Sequence, residues 1–227
     1  MKLVHTMLEN EILQEQQTSG FLVVENPDFL LKICRDLLSQ CGGEDGGFVL
    51  SDQHKPLSIA RNLHFIDNPL RIDHNPRKAV TALYKELEAH LAENPASAEL
   101  QSLMERMTEL LSQILLESRM GLAELEQPSW NSVLKFFDVS FCSDHSGLEE
   151  AISDYLNIAR SYLGFSFFVL FGACQFLTKE RLEMLCKQNA YDGLKLLFIE
   201  SFLPDDKRPA GVRSLVVDKD LCEIIQV

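Results

Sequence analysis

The 227-residue sequence predicts an α/β fold whose sheet is interrupted by a block of helices. The first fifty residues alternate strand, helix and strand patterns. A helical hydrophobic period then occupies the middle of the chain, and the strand and helix alternation returns after it. We therefore predict an α/β domain with a largely parallel sheet over residues 1–70 and 137–227, and an inserted α-helical domain over residues 71–136.

The first α/β elements follow from an apolar run and its flanking residues. Gly20 to Glu25 is a short, nearly continuous apolar run that is typical of a buried strand. Pro27 and Asp28 then open a helix, whose apolar residues through Leu38 recur at helical spacing. Two glycine pairs follow, and Phe48 to Leu50 reads as a second strand of the same layer.

The middle of the chain carries a helical period. After Pro76, apolar residues recur at helical spacing as far as Leu91, and Asn94-Pro95 ends that helix. The next helix repeats apolar residues nearly every 3.5 positions from Leu100 to Leu115. That stripe predicts either a helical hairpin within the chain or a seam between protein copies. A further short helix is expected after Pro128.

The last third returns to alternation, with predicted helices over 148–163 and 178–188 and predicted strands over 165–171 and 194–199. The run Phe167 to Phe171 lacks a polar alternate residue. This pattern indicates a parallel strand that is covered on both faces.

Composition and charge limit the classes of function. Hydrophobic residues make up 46% and charged residues 24%, which is typical of a globular protein. The net charge of −13 excludes a uniformly basic nucleic-acid coat, so any DNA contact must come from a local patch.

Six cysteines without a C-x-x-C pair predict reduced thiols that fill the core of an intracellular protein. The N-terminus has no signal-peptide pattern and the longest apolar stretch is too short to span a bilayer, so we expect a soluble cytoplasmic protein without a membrane partner.

The sequence carries no motif of nucleotide or hydrolytic chemistry. It lacks G-x-x-x-x-G-K-[ST], and the junction Glu25-Asn26-Pro27-Asp28 places carboxylates and a proline where a phosphate loop needs backbone donors. We therefore expect no nucleotide cofactor. H-E-x-x-H and G-x-S-x-G are also missing. Asp205-Asp206-Lys207 matches half of a nuclease-type pattern, which keeps a metal-dependent nuclease as an alternative.

Two segments have a local excess of positive charge. Residues 71–78 carry a net charge of +2, and the cations between positions 207 and 213 outweigh the two aspartates beside them. Together with one lysine near the end of the helical block, these segments supply the candidate phosphate contacts, which are Arg71, Arg77, Lys78, Lys135, Lys207, Arg208 and Arg213.

One turn is acidic. Glu117, Glu124 and Glu126 flank Gly121, and clustered carboxylates can ligate a hard cation such as calcium. With Asp138 as a fourth candidate, they form the predicted metal ligands.

Three stretches of the C-terminal third carry a resemblance to a known family: Phe168 to Leu182, the strand Leu196 to Glu200, and Val217 to Asp220. They resemble stretches of the Csn-two family of type II-A CRISPR adaptation proteins. Near the N-terminus, Glu25 to Phe29 is similar to another stretch of that family, and the inserted helices fall at the same place. The motifs occur in collinear order over most of the chain.

The resemblance implies a head domain with a degenerate P-loop ATPase fold and a helical leg. It also implies a ring-shaped homotetramer with calcium ions. Such a ring would encircle linear double-stranded DNA, bind its ends without sequence preference and support spacer acquisition. The implied partners are a CRISPR adaptation integrase and an effector nuclease.

The resemblance and the residue patterns together predict a DNA-binding protein that is not an enzyme. A nucleic-acid enzyme built on Asp205 and Lys207 is one alternative. A pure interaction module of the adaptation complex is the other.

Overall fold

The structure is a computed structural model that describes residues 1–117 and 128–226. The chain divides into two compact units. Unit 1 comprises Met1–His74 and Cys142–Val227, and unit 2 comprises Asn75–Phe141.

The elements of unit 1 before the insertion are β1 Lys2–His5, β2 Ser19–Val24, α1 Pro27–Cys41, β3 Phe48–Asp52, β4 Lys55–Leu57, α2 Ile59–Asn62 and β5 Leu63–Ile66. Unit 2 holds α3 Arg77–Glu93, α4 Ser97–Leu116 and α5 Trp130–Phe136. Unit 1 resumes with α6 Leu148–Ile158, β6 Phe167–Phe171, α7 Lys179–Tyr191, β7 Lys195–Glu200, β8 Ser214–Val217 and β9 Glu223–Gln226.

The main sheet has six strands in the order β5-β6-β7-β2-β8-β9. The first five are parallel, and β9 runs antiparallel to β8. The predicted α/β class with a largely parallel sheet is therefore confirmed.

Both faces of the main sheet are covered. Alternate residues of a strand point to opposite faces, so Phe21 and Phe198 belong to the core under α6 and α7. Their neighbours Leu22 and Ile199 belong to the core under α1. All residues of β2 are buried, and so are Phe167 to Leu170 of β6, as their unbroken apolar runs predicted.

The predicted strand at Phe48 exists, but it lies outside the parallel layer. It is β3, which pairs antiparallel with β1 and β4 in a separate three-stranded sheet. Phe48 and Leu50 are buried whereas Val49 is exposed, the alternation of a strand with one covered face. The expectation of a single layer was wrong here because the pairing partner is the N-terminal strand Lys2–His5, which the polar N-terminus did not suggest.

The predicted helix over 148–163 ends early. Regular α6 stops at Ile158, and a turn of π-helix covers Ala159–Leu163. Gly164 then takes a φ of 82°, a left-handed conformation that glycine adopts at little cost, and β6 follows.

The cysteines are only partly core residues. Cys174 and Cys186 are buried, Cys34 and Cys41 are half-buried, and the remaining two are exposed. All six lie in the described residues as free thiols. The expectation of six core cysteines therefore holds for Cys174 and Cys186, and Cys34 and Cys41 pack against the core as half-buried residues. It is wrong for Cys142 and Cys222, which fall in surface segments.

Unit 2 buries few side chains. Within its described residues, Ala79 and Tyr84 of α3 and Leu134 of α5 are buried, and no residue of α4 is. The a and d positions of α4 are 41% to 65% exposed. We call these residues the α4 stripe: Leu100, Leu103, Met107, Leu110 and Ile114.

No helix in residues 1–117 and 128–226 combines the length and the apolar character needed to cross a membrane.

Candidate nucleic-acid interface

Three predicted phosphate contacts lie at one end of unit 2. The Asn75 amide donates to the Phe141 carbonyl at 3.0 Å and accepts from the Phe141 N–H at 2.7 Å. This pair of hydrogen bonds joins the start of α3 to the segment after α5. Arg77 and Lys78 open α3, and Lys135 lies in the last turn of α5, so all three cations belong to the helix ends that flank this hydrogen-bonded junction.

We call Arg77, Lys78 and Lys135 the basic end. All three side chains are exposed. Among the residues that the structure describes, none of the three side chains forms a hydrogen bond or an ion pair. The N-terminal N–H groups of α3 add a partial positive charge at the same place. The basic end therefore offers charge that no carboxylate of residues 1–117 and 128–226 pairs with.

Two aromatic rings accompany the basic end. Phe136 and Phe137 are 75% and 70% exposed, and their rings meet edge to face at a centroid distance of 5.2 Å. The turn that presents them is fixed, because the N–H groups of Phe137 and Asp138 donate to the carbonyls of Val133 and Lys135. Cations beside exposed rings are a combination that can contact both phosphates and bases.

Arg71 is exposed and lies in unit 1, three residues before that unit's first segment ends at His74. Among the described residues it makes no side-chain ion pair.

The three predicted cations of the C-terminal loop are engaged inside unit 1. Lys207 Nζ donates to the Cys174 carbonyl at 3.1 Å. Arg208 pairs with Asp205 at 3.3 Å. Arg213 is 7% exposed, and its guanidinium donates to the backbone carbonyls of residues 11 and 12. Arg213 therefore anchors the N-terminal segment, and almost none of its surface is accessible to a phosphate. The residues next to Arg213 in the sequence give no sign of this burial.

The carboxyl edge of the parallel sheet holds a buried acid that the motif search missed. Glu200 ends β7 with 1% exposure, and one of its oxygens accepts the Cys174 N–H at 2.8 Å. Burial raises the pKa of Glu200, and the Cys174 N–H and the Lys207 charge oppose that rise. Burial and the Glu200 charge raise the pKa of the Cys174 thiol. The sequence signal that could have identified this buried acid is a glutamate that directly follows four apolar residues, Leu196 to Ile199, in a predicted strand.

The start of α1 is closed to phosphate. Asn26 caps the helix by accepting the Phe29 N–H at 3.0 Å, and its amide donates to the Lys219 carbonyl. Pro27 has no N–H. The Asn26 side chain thus accepts the Phe29 N–H, which is a donor that a phosphate loop would offer to its ligand.

The predicted metal ligands are not assembled in the described residues. Glu117 is an exposed C-cap of α4, and Asp138 is exposed with a φ of 50°. Glu124 and Glu126 lie outside the described residues. Within residues 1–117 and 128–226, no three acidic, histidine or cysteine side chains form a group that could hold a metal ion.

The nuclease-like residues are also engaged otherwise. Asp205 to Lys207 form a 3₁₀ turn, in which Asp205 faces Arg208 and Lys207 reaches the Cys174 carbonyl.

Comparison with known proteins supports the resemblance. The profile of the family described as CRISPR-associated protein (Cas_Csn2) matches residues 40–221. No curated protein matches the chain. Among solved structures, the fold is similar to the crystal structure of Stu0660 of Streptococcus thermophilus, with a TM-score of 0.54 and 12% sequence identity. The match covers 96% of this chain and 75% of that one.

The family match extends over far more than half of the sequence, and it includes the inserted helices as well as strands β6, β7 and β8. The structural match covers 96% of the chain and therefore extends the likeness beyond residues 40–221. The chain therefore belongs to the CRISPR-associated Csn2 family, which implies a role in the adaptation stage of type II-A CRISPR systems.

Proposed function

We propose that this protein binds linear double-stranded DNA without sequence preference and assembles into a homotetrameric ring that supports spacer acquisition. The observation that carries the proposal is the basic end, where Arg77, Lys78 and Lys135 are exposed and unpaired among the described residues of an acidic chain. Each phosphate that a cation neutralises releases counterions, so such a contact supplies affinity without reading bases.

The α4 stripe supports assembly. Met104, Thr108 and Leu115 on a neighbouring face of α4 are partly buried, whereas the stripe itself is exposed. Its spacing of three and four residues is that of a coiled-coil seam. Monomeric proteins rarely leave so continuous an apolar surface in water. The alternative of a seam between protein copies thus gains support over a hairpin core.

Assembly explains how a few cations suffice. A closed ring of four copies multiplies the phosphate contacts of one copy, and enclosure slows dissociation. We include calcium in this proposal as an ion that favours assembly, and an adaptation integrase and an effector nuclease as partners in the cell. The degenerate P-loop origin of the unit 1 fold is part of the same proposal, and the proposed activity requires no catalytic step.

The decisive experiment measures binding of a labelled linear duplex by fluorescence anisotropy over a range of salt concentrations. The slope of log affinity against log salt should be near −0.9 times the number of phosphate contacts. Arg77→Ala/Lys78→Ala should weaken binding equally for unrelated sequences and flatten the slope. The matched control Lys32→Ala/Arg35→Ala removes the same charge from exposed positions of α1 and should change the slope less.

Equal slopes for the two double variants would contradict the placement of the interface at the basic end. Relaxed covalently closed circles should bind more weakly than linear duplex of equal length, because a ring must thread a free end. Equal affinity for closed circles and for linear duplex would contradict the threading of a free DNA end through the ring. Cleavage of the linear duplex with magnesium or manganese would favour the nuclease alternative, and no retention at low salt would favour the interaction module.

A further inference from the structure

Phe136 and Phe137 place two exposed rings directly after Lys135, a member of the basic end, and we call them the ring pair. Leu134, 8% exposed, is buried in unit 2, where α5 packs against α3. Successive helical residues are rotated by about 100°, so Phe136 lies on the face of α5 opposite Leu134. Phe137 follows as the residue that ends the helix. The fold therefore keeps both rings in solvent while α5 itself is anchored.

Backbone hydrogen bonds hold the turn that carries the ring pair. The carbonyls of residues 133–135 each accept a backbone N–H from this turn at 3.0–3.1 Å. Free carbonyls at the end of a helix would repel a phosphate, and these three are already engaged. Asp138 then takes a φ of 50°, a left-handed conformation that aspartate tolerates better than most residues. The rings thus stand on a turn with a defined direction, and its carbonyls do not oppose an anion.

The charges around the ring pair favour a polyanion. Arg77, Lys78 and Lys135 are exposed and form no hydrogen bond or ion pair within residues 1–117 and 128–226. Asp138 is the one acid in the sequence from Pro128 to Asp138, so three cations stand against it. Because consecutive Cα atoms are 3.80 Å apart, a lysine next to a ring can reach the phosphate of a nucleotide whose base covers that ring. Flat apolar faces and adjacent phosphates together are the chemistry of a nucleic-acid strand.

The angle between the two rings selects the form of nucleic acid. Their planes are 87° apart at a centroid distance of 5.2 Å. Bases in a duplex lie nearly parallel at a spacing of roughly 3.4 Å, so two neighbouring bases cannot lie flat on both rings. Bases of a single strand can be splayed apart, and each can then stack on an aromatic side chain. The ring pair therefore suits two unpaired nucleotides and does not suit an intact duplex.

We propose that Phe136 and Phe137 stack on unpaired nucleotides at the end of a DNA duplex, while Lys135 contacts the phosphate between them. This inference rests on the proposed DNA binding at the basic end and adds a substrate preference to it. Ends with a single-stranded overhang bind more tightly than blunt ends. Stacking uses the flat face that every base has, so the preference does not depend on the sequence of the overhang.

Fluorescence anisotropy of the full-length protein with three labelled duplexes tests the proposal. All three have the same paired segment: one is blunt, one carries a thymidine overhang, and one carries an abasic overhang of equal length. The abasic strand keeps the phosphates and lacks the bases, so it isolates stacking from charge. The thymidine overhang should bind about tenfold more tightly than the abasic one, as expected for a stacked base.

Variants assign that gain to the ring pair. Phe136→Leu/Phe137→Leu keeps apolar side chains and removes both rings, so it should lose the tenfold gain and bind the blunt duplex as the wild type does. The matched control Phe176→Leu/Phe202→Leu removes two exposed rings of unit 1 and should keep the gain. A thymidine replaced by 5-iodouracil gives a direct readout, because irradiation should join it to Phe136 or Phe137 in the wild type, as located by mass spectrometry.

Equal affinity of the wild type for the thymidine and abasic overhangs would overturn the inference, and salt-dependent binding of the blunt duplex would still support the proposed function. A preserved overhang gain without binding of the blunt duplex would have the reverse meaning. If the ring variant loses affinity for all three duplexes equally and loses assembled mass in light scattering, the rings contact a second copy and the inference is wrong. If the variant fails to fold, the wild-type crosslink decides, and an adduct outside residues 128–141 refutes stacking on the ring pair.

Discussion

Unit 1 and unit 2 differ in how far their apolar side chains are buried. Unit 1 buries both faces of a parallel sheet, and Phe21 and Phe198 stack at its centre with a centroid distance of 4.9 Å. In unit 2, no described residue of α4 is buried, and the α4 stripe faces outward. The difference teaches that one region buries its apolar residues within a single chain, whereas the other leaves an apolar helix face exposed.

The largest change in the free energy of unfolding is expected from a truncation in the core of unit 1. Phe198→Ala should lower the free energy of unfolding by about 3–5 kcal/mol, because it removes a fully buried ring and leaves a cavity. Chemical denaturation monitored by circular dichroism measures this loss. Leu103→Ala in the stripe is the matched truncation and should cost about 0.5 kcal/mol or less in the monomer. Comparable losses at both sites would contradict the distinction.

The stripe itself is tested by charge. Leu103→Asp/Leu110→Asp should leave the monomer folded, since both side chains are exposed, and should abolish assembly by placing charges in the seam. Size-exclusion chromatography with light scattering measures the mass. Gln101→Asp/Gln113→Asp adds the same charge elsewhere on α4 and should preserve the assembly. An unfolded stripe variant would instead mean that the stripe is a core of unit 2.

A third prediction concerns the buried acid of unit 1. Burial raises the pKa of Glu200 in the folded state above its ordinary value of 4.5, so the folded protein holds a proton that the unfolded chain releases. Its contribution is therefore fully present below pH 4.5 and is lost as pH rises through the folded-state pKa. Glu200→Gln should remove this part of the pH dependence above pH 4.5, measured as the difference in unfolding free energy from the wild type.

The exposed Glu180 supplies the control for that measurement, because the pKa of its carboxyl is lowered by hydrogen bonds at the start of α7. Glu180→Gln should therefore not flatten the loss of stability towards high pH. The same pH profile for wild type and Glu200→Gln would show that Glu200 exchanges no proton on unfolding in this range.

The smallest effect is expected from calcium. If Glu117 contributes to an ion site in unit 2, millimolar calcium should raise the thermal midpoint by a few degrees, about 1 kcal/mol of binding energy for a domain of this size. Glu117→Gln should reduce that shift, and Glu105→Gln, on the same helix, should not. An equal midpoint with calcium and with chelator would exclude a stabilising site.

Local patterns predicted most elements because their causes are local. The apolar run before Glu25, the helical period after Pro76 and the unbroken apolar strand at Phe167 each depend on neighbouring residues. Which strands pair with each other was harder to predict from the sequence. The strand at Phe48 joined β1 instead of the parallel layer, because its partner lies more than forty residues away.

The candidate site divides in the same manner. Arg77 and Lys78 were visible as a local charge excess, and the structure leaves them exposed. Arg213 belonged to a similar excess but is buried against the carbonyls of a distant segment. Charge content is a property of the sequence, whereas the partner that neutralises a charge depends on the fold.

The sequence by itself determined the α/β class, the inserted helices, the acidic balance of −13 and the lack of a phosphate-loop motif, since these follow from composition and from periods of a few residues. Only the tertiary structure decided that Glu200 is buried, that His74 meets His145 and that the α4 stripe stays exposed. The physical reason is that burial and proton affinity depend on contacts between residues far apart in the chain, which no local pattern encodes.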